Sequence, residues 1–215
     1  MKGVTIKELY DLNKTIAKKI LEDFLYPWEV LSEIKECIVS IGNTLSLEEY
    51  EHPSEDIWIS KSAKVSSSAW IEGPCIVGHG AEIRHCAFIR SNVIVGNNCI
   101  VGNSTELKNT ILFDEVQVPH FNYVGDSILG YKSHFGAGVI TANLKLNKKL
   151  VKIKQSNEEI ETGLKKVGSF VGDNVEVGCN SVLSPGTIIG KNSVIYPLSN
   201  VHGILLDNSV YKKDN

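Results

Sequence analysis

Hydrophobic residues recur at every sixth position along most of this chain. From Ile59, steps of six land on Val65, Ile71, Val77, Ile83, Ile89, Val95, Val101, Leu107 and Phe113. A second register lands on Val171, Val177, Leu183, Ile189, Ile195 and Val201. In a chain that is 42% hydrophobic, so many hits in preset frames would arise by chance roughly once in a million trials. Two residues ahead of these positions stand mostly small ones, such as Ala63, Ala81, Cys75, Cys99, Ser181 and Thr187, and glycine often follows directly, as at Gly78, Gly96 and Gly178. A period of six preserves strand alternation, because it is a multiple of two. It also lets each short strand end in a corner. Three such units close a triangular coil of 18 residues, and coils stack at the strand spacing of about 4.8 Å. The pattern predicts an all-β parallel β-helix with aliphatic residues filling its interior.

The frame shifts between Phe113 and Val171. Within that gap, residues 144–168 alternate apolar and charged positions around Ser156-Asn157-Glu158, which predicts a β-hairpin projecting from the helix. Residues 1–50 follow another rule. Thr5-Ile6-Lys7-Glu8 has the form of a capping box, and Leu9, Ile16, Ile20 and Phe24 fall at helical spacing. Pro27 opens a second predicted helix, running to about Val39. The expected division is a small helical segment over 1–50, placed to cap the first coil or to dock on a partner, and a β-helix over 51–215.

Composition narrows the function classes. The 215 residues carry a formal net charge of −3, which does not suit a nucleic-acid binder. No apolar run reaches the roughly 18–20 residues that span a bilayer, so no membrane contact is expected. Charges interrupt the apolar residues of the first twenty positions, unlike a secretory signal. A cytoplasmic protein follows from this. The five cysteines, Cys37, Cys75, Cys86, Cys99 and Cys179, contain no CxxC pair. They read as reduced and structural, with Cys75 and Cys99 acting as compact hydrophobes.

The coil geometry then singles out candidate chemistry. Arg90 and Lys108 are 18 apart and each follows an inward aliphatic, so they stack at one corner of adjacent coils. Two cations about 4.8 Å apart repel unless an anion or water lies between them. From spacing alone, a phosphate clamp and a solvated pair of surface charges are equal readings. The stretch Pro119-His120-Phe121-Asn122-Tyr123-Val124-Gly125-Asp126 breaks the repeat, and a histidine there can act as a general base. Taken alone, such a histidine is more often an ordinary satisfied one. Gly136-Ala137-Gly138 offers a turn whose N–H groups can receive a thioester oxygen, or simply a tight corner.

These motifs resemble a known family. The run from Arg90 to Val201 looks like the acetyltransferase domain of bifunctional glucosamine-1-phosphate N-acetyltransferase/UDP-N-acetylglucosamine pyrophosphorylases. The Asn143–Pro197 stretch, with its TANLKLN, ETGLKKVGSFVGDN and SPGTIIG runs, looks closer to the C-terminal domains of archaeal-type sugar-1-phosphate nucleotidylyltransferases. The resemblance covers about half the chain and implies a left-handed coil. It also implies His120 as general base and Ala137 as the N–H donor to the thioester carbonyl. Arg90, Lys108, Tyr123 and Asn143 become sugar-phosphate contacts, and Lys149 and Lys152 on the hairpin become basic helpers. Ala137, Cys179 and Pro197 fall on the coenzyme A side. His134 stands where the family has an asparagine on the sugar, and Cys179 where it has a serine. Residues 1–50 are too few for a nucleotide-binding domain and hold no glycine-rich nucleotide loop, so pyrophosphorylase activity is not expected.

What the resemblance implies overall is a homotrimeric N-acetyltransferase. It would move acetyl from acetyl-CoA, its co-substrate, to the amine of an amino-sugar phosphate such as glucosamine-1-phosphate. The competing reading is a non-catalytic subunit or scaffold that keeps the fold. A zinc-dependent β-helix enzyme is disfavoured, because His79 and His85, six apart, fall on different sides of one coil, and His120 and His134 are not 18 apart. No metal site is expected.

Overall fold

The computed structural model describes residues 1–155 and 157–212; Ser156, named above in the hairpin turn, lies outside the described residues. From Ile57 onward the chain winds into the three-sided parallel β-helix that the repeat predicts. On the first side Ile59 pairs with Val77 and Val77 with Val95, all in parallel register. The second side is an eight-stranded parallel sheet running from Lys64–Val65 to Val210–Tyr211. The third side carries Trp70–Ile71, Phe88–Ile89, Ile140–Thr141 and Asn200–Val201 among its strands. From Val77 to Val201 the aliphatic positions of the two frames are buried. Val65 is 40% exposed because it lies in the first coil, with no coil above it. Cys75 and Cys99 are buried beside the aliphatic stack, and burial pushes the Cys75 thiol up to about 12.

The frame slips by one residue where the sequence pattern was read straight through. Val95 pairs with Leu112, not Phe113, and Leu112 pairs with Leu129. Two successive coils therefore contain 17 residues instead of 18. The missing residue is taken out at tight corners, where Asn109 and Asp126 adopt positive φ of 49° and 48°. Asparagine and aspartate tolerate that left-handed region better than other residues with a Cβ. Close stacking also demands bare backbone. A Cβ on Gly102 would run into the backbone of Pro119 in the next coil.

Residues 1–50 do not cap the first coil. They line the whole first side, where the outward residues are apolar too: Trp58, Ile76, Ile94, Ile111, Ile128, Phe170 and Ile188 are all buried. Fully burying one such side chain contributes about 1.5–3 kcal/mol before entropy costs. The layer consists of α1 (Ile6–Leu9), α2 (Lys18–Leu21) and α3 (Ile34–Gly42), with 3₁₀ turns at Leu12–Lys14 and Glu29–Ser32. Trp28 packs on Phe170 and Tyr10 on Phe113, with ring centroids 6.1 and 5.0 Å apart.

The long first helix expected from spacing is broken because its backbone serves the β-helix. The carbonyls of Leu9 and Lys14 accept from the N–H groups of Asp173 and Asp114 at 3.2 and 2.9 Å. The capping box is present. Burial would raise the Glu8 carboxyl, but hydrogen bonds from Thr5 and Val4 outweigh it and hold it at about 2.

The hairpin strands are Lys152–Gln155 and Glu158–Glu161. They leave the corner after Asn143, return at Gly168, and bury Val151 and Ile153 near Gly186. No helix among the described residues is long and apolar enough to cross a membrane.

Candidate active site

Eight of the expected site residues fall on two edges of the third side; His134, Lys149 and Lys152 do not. His120, Ala137, Cys179 and Pro197 stack along the edge between the second and third sides, one in each of four consecutive coils. The backbone ladder is direct: Gly138 N donates to His120 O at 3.0 Å, Asn180 N to Ala137 O at 2.8 Å, and Leu198 N to Cys179 O at 2.9 Å. Residues scattered over 78 positions of sequence thus share one edge because the coil brings each corner back to the same place.

This edge is open. The His120 imidazole is exposed and has no hydrogen-bond partner among the described residues. The Ala137 N–H is likewise unpartnered among them, a property of this corner type that Cys179 shares. Asn122 fixes the spacing beneath. Its buried amide donates to Gly136 O at 2.8 Å, while its carbonyl oxygen accepts from His120 N at 3.1 Å. One side chain therefore ties the histidine corner to the glycine corner. It was passed over in the sequence, although an amide flanked by two aromatics at a repeat break was a signal.

A cleft of about 310 Å³ on the second side is lined by His134, Gly136, Glu176, Cys179, Tyr196 and Pro197 among others. Cys179 and Pro197 are thus brought together. His134, expected on the sugar, lies with them instead, its Nδ1 2.7 Å from Glu176 Oε2.

The second edge, between the third and first sides, gathers Arg90, Lys108, Tyr123 and Asn143. Arg90 and Lys108 do stack, since Ile89 pairs with Leu107. Each is already matched by a carboxylate one coil further on. Arg90 reaches Glu106 at 2.8 Å and Lys108 reaches Asp126 at 3.2 Å. The repulsion expected between stacked cations is relieved by the chain's own anions, so the edge is two ion pairs and not a bare cationic clamp.

The hydrogen bond to Glu106, reinforced by its charge, raises the Arg90 pKa. Asp126 is buried and also accepts from Asn109 Nδ2 at 3.0 Å and from Asn143 Nδ2 at 2.5 Å. The same Asn143 amide donates to the Tyr123 hydroxyl at 3.1 Å. Burial, then the charges of Asp126 and Glu106, raise the Tyr123 pKa, so its phenol stays protonated at neutral pH. Neither Glu106 nor Asp126 was picked out in the sequence, because their partners become visible only when coil lengths are known.

Of the hairpin lysines, Lys152 is drawn into the hairpin itself, 2.6 Å from Glu159 and 2.9 Å from Glu161. Lys149 is exposed, and its ammonium has no partner among the described residues. Neither is hydrogen-bonded to the Tyr123–Asn143 cluster. A groove of about 690 Å³ runs between the third side and the outgoing arm, lined by Ala142, Leu144, Leu146, Val182, Pro185 and Asn200 among others. Among the described residues no cluster of histidine, cysteine and carboxylates is placed to hold a metal ion.

A family model described as the GMPPB C-terminal domain matches residues 71–160, less than half of the chain. A bifunctional sugar-1-phosphate nucleotidylyltransferase/acetyltransferase of Sulfurisphaera tokodaii is 38% identical over 94 residues, covering 44% of this chain and 23% of that protein. The bifunctional protein GlmU of Methanococcus maripaludis is 38% identical over 112 residues, covering 52% of this chain and 27% of its own. The chain spans roughly a quarter of the length of these curated relatives. An uncharacterized acetyltransferase of Escherichia coli, YaiX, is 27% identical over 164 residues, 76% of this chain and 70% of that one. Among solved structures, the acetyltransferase domain of PglB from Neisseria gonorrhoeae in complex with acetyl coenzyme A superposes with a TM-score of 0.39. That overlay has 15% identity and covers 72% of this chain and 53% of the other. The resemblance carried by the motifs is thus matched by homologues of the same description.

Proposed function

We propose that this chain is an acetyl-CoA-dependent N-acetyltransferase acting on the amine of an amino-sugar phosphate such as glucosamine-1-phosphate. The observation that carries the reading is the stacking of His120, Ala137, Cys179 and Pro197 on one edge, with an imidazole and an N–H in adjacent coils that have no partner among the described residues. The names of two relatives, a bifunctional sugar-1-phosphate nucleotidylyltransferase/acetyltransferase and an uncharacterized acetyltransferase, favour the same chemistry.

In this mechanism the amine nitrogen attacks the thioester carbon directly. His120 takes the proton that the amine gives up, and the Ala137 N–H stabilises the negative oxygen of the tetrahedral intermediate. The thiolate of coenzyme A leaves and takes a proton, so acetyl-CoA and amine become amide and free thiol. Acetyl-CoA lies along the Cys179–Pro197 cleft. Tyr123, Asn143, Lys108 and Arg90 hold the sugar phosphate, and Lys149 adds a charge that the paired cations lack.

We further propose a homotrimer, in which a neighbouring copy closes the cleft. Trp70, Ile140, Val182, Val194 and Leu198 are exposed on the second and third sides or on the edge between them, where such contacts would fall. Light scattering would give three chain masses.

The test is thiol release from acetyl-CoA against glucosamine, galactosamine and their phosphates. Release with a phosphorylated amino sugar supports the proposal; release with none of them overturns it. The pairing of both cations by carboxylates favours the scaffold reading to that extent. A scaffold would show no acetyl-CoA binding by calorimetry.

A further inference from the structure

We infer that Asp126 is a positioning residue that turns the Asn143 carboxamide so that its carbonyl oxygen, not its amino group, faces the substrate. The inference rests on the proposed acetyl transfer, and it adds a residue and a recognition rule to it. Asp126 is 4% exposed, and a buried carboxylate persists as an anion only when paired. Lys108 supplies that pairing, with its ammonium 3.2 and 3.3 Å from the two carboxylate oxygens.

An ionised carboxylate can only accept hydrogen bonds. The Asn143 group lying against Asp126 Oδ2 must therefore be the amino group, whatever else surrounds it. Its remaining N–H is taken by the Tyr123 hydroxyl. Both donors are spent, and the Asn143 Oδ1 is left with no partner among the described residues while its side chain stays half-buried. The acceptor so presented selects a ligand group that donates, a sugar hydroxyl or ammonium.

Asp126 also fixes where Asn143 stands. Its backbone carbonyl accepts from Gly168 N at 2.7 Å, and the Asn143 carbonyl accepts from Val167 N at 2.9 Å. The two bonds pin the point where the hairpin leaves to the point where it returns. Asn109 links the same carboxylate to the N-terminal layer, since its amide donates to Leu31 O at 3.1 Å as well as to Asp126.

Asparagine suits the positive φ of 48° at position 126, so Asp126→Asn keeps the corner while removing the obligate acceptor. The experiment compares Asp126→Asn, Asn143→Asp and the double swap in thiol release, varying glucosamine-1-phosphate at saturating acetyl-CoA and then acetyl-CoA at saturating glucosamine-1-phosphate. A lost hydrogen bond to a charged group predicts about a 10–100-fold rise in KM for the amino sugar in each single variant. The KM for acetyl-CoA stays constant.

The swap restores an amide donor at 126 and an acceptor at 143, and should recover most of the loss. A swap no better than the worse single variant overturns the inference, as does a parallel rise in both KM values. If the wild-type chain turns over none of the amino sugars, the proposed reaction fails. The inference is then read by calorimetric titration of glucosamine-1-phosphate, with the same pattern expected in Kd. No binding by the wild-type chain, or equal binding by all forms, overturns it there.

Discussion

The two edges of the third side are built from the same repeat and solve opposite problems. Along one, Arg90, Glu106, Lys108, Asp126, Asn143 and Tyr123 satisfy one another through ion pairs and hydrogen bonds. Along the other, His120, Ala137 and Cys179 are held by backbone ladders and by the buried Asn122 amide, and the His120 imidazole and the Ala137 N–H have no partner among the described residues. Side chains held by neighbours are preorganised for binding, whereas a base and an oxyanion donor must be free for the reacting atoms. On the proposed mechanism, the contrast teaches that the edge assigned to binding is fixed mainly by side chains and the edge assigned to reaction mainly by the spacing of corners.

His120→Ala should give the largest effect. A general base contributes about 10²–10⁴-fold, so thiol release with an amino-sugar phosphate should fall by that factor while the melting temperature hardly moves. Retained turnover would remove the free edge from the chemistry. Gly102→Ala should act through structure instead. The added methyl meets the backbone of Pro119, the residue before His120. A clash of that kind belongs to the severe class, above about 4 kcal/mol, and denaturant melts should show it. A variant of normal stability would mean that coil spacing is softer than the stacked corners require.

Asn122→Ala should be milder. The His120 N–H loses its partner and the Gly136 carbonyl keeps only the longer bond from Val139 N, at about 1–3 kcal/mol, and kcat should fall more than KM rises for the amino sugar, because on the proposed mechanism the amide spaces the catalytic corners. Equal changes on both parameters would make Asn122 merely structural.

Glu8 is a control remote from both edges. Its folded-state pKa of about 2 lies below the ordinary 4.5, so its contribution is present above about pH 4.5 and is lost as pH falls towards 2. Glu8→Gln should flatten the acid side of the stability curve by less than about 1 kcal/mol, leaving kcat and KM unchanged at pH 7. A change in turnover would couple the N-terminal layer to the site more tightly than the comparison allows.

Much of this was legible in the sequence. The six-residue frame fixed the inward positions, and 18-residue stacking placed Arg90 over Lys108. It failed where coils shorten, since a one-residue loss at Asn109 is invisible to a fixed step. That loss stacks Asn109, Asp126 and Asn143 on one edge, which is why Asp126 went unnoticed. The N-terminal layer was misread for a different reason. Leu9, Ile16, Ile20 and Phe24 have helical spacing, but the backbone carbonyls of Leu9 and Lys14 go to the β-helix. A second apolar stripe at Trp58, Ile76 and Ile94, also 18 apart, was the available sign that the first side needed a cover.

The most direct test is a crystal structure with coenzyme A and glucosamine-1-phosphate bound together. The account predicts coenzyme A along Cys179 and Pro197, the phosphate beside Lys108, and the sugar amine about 2.6–3.2 Å from the His120 imidazole of the same or a neighbouring copy. A ternary structure with the amine out of reach of every His120 would contradict it.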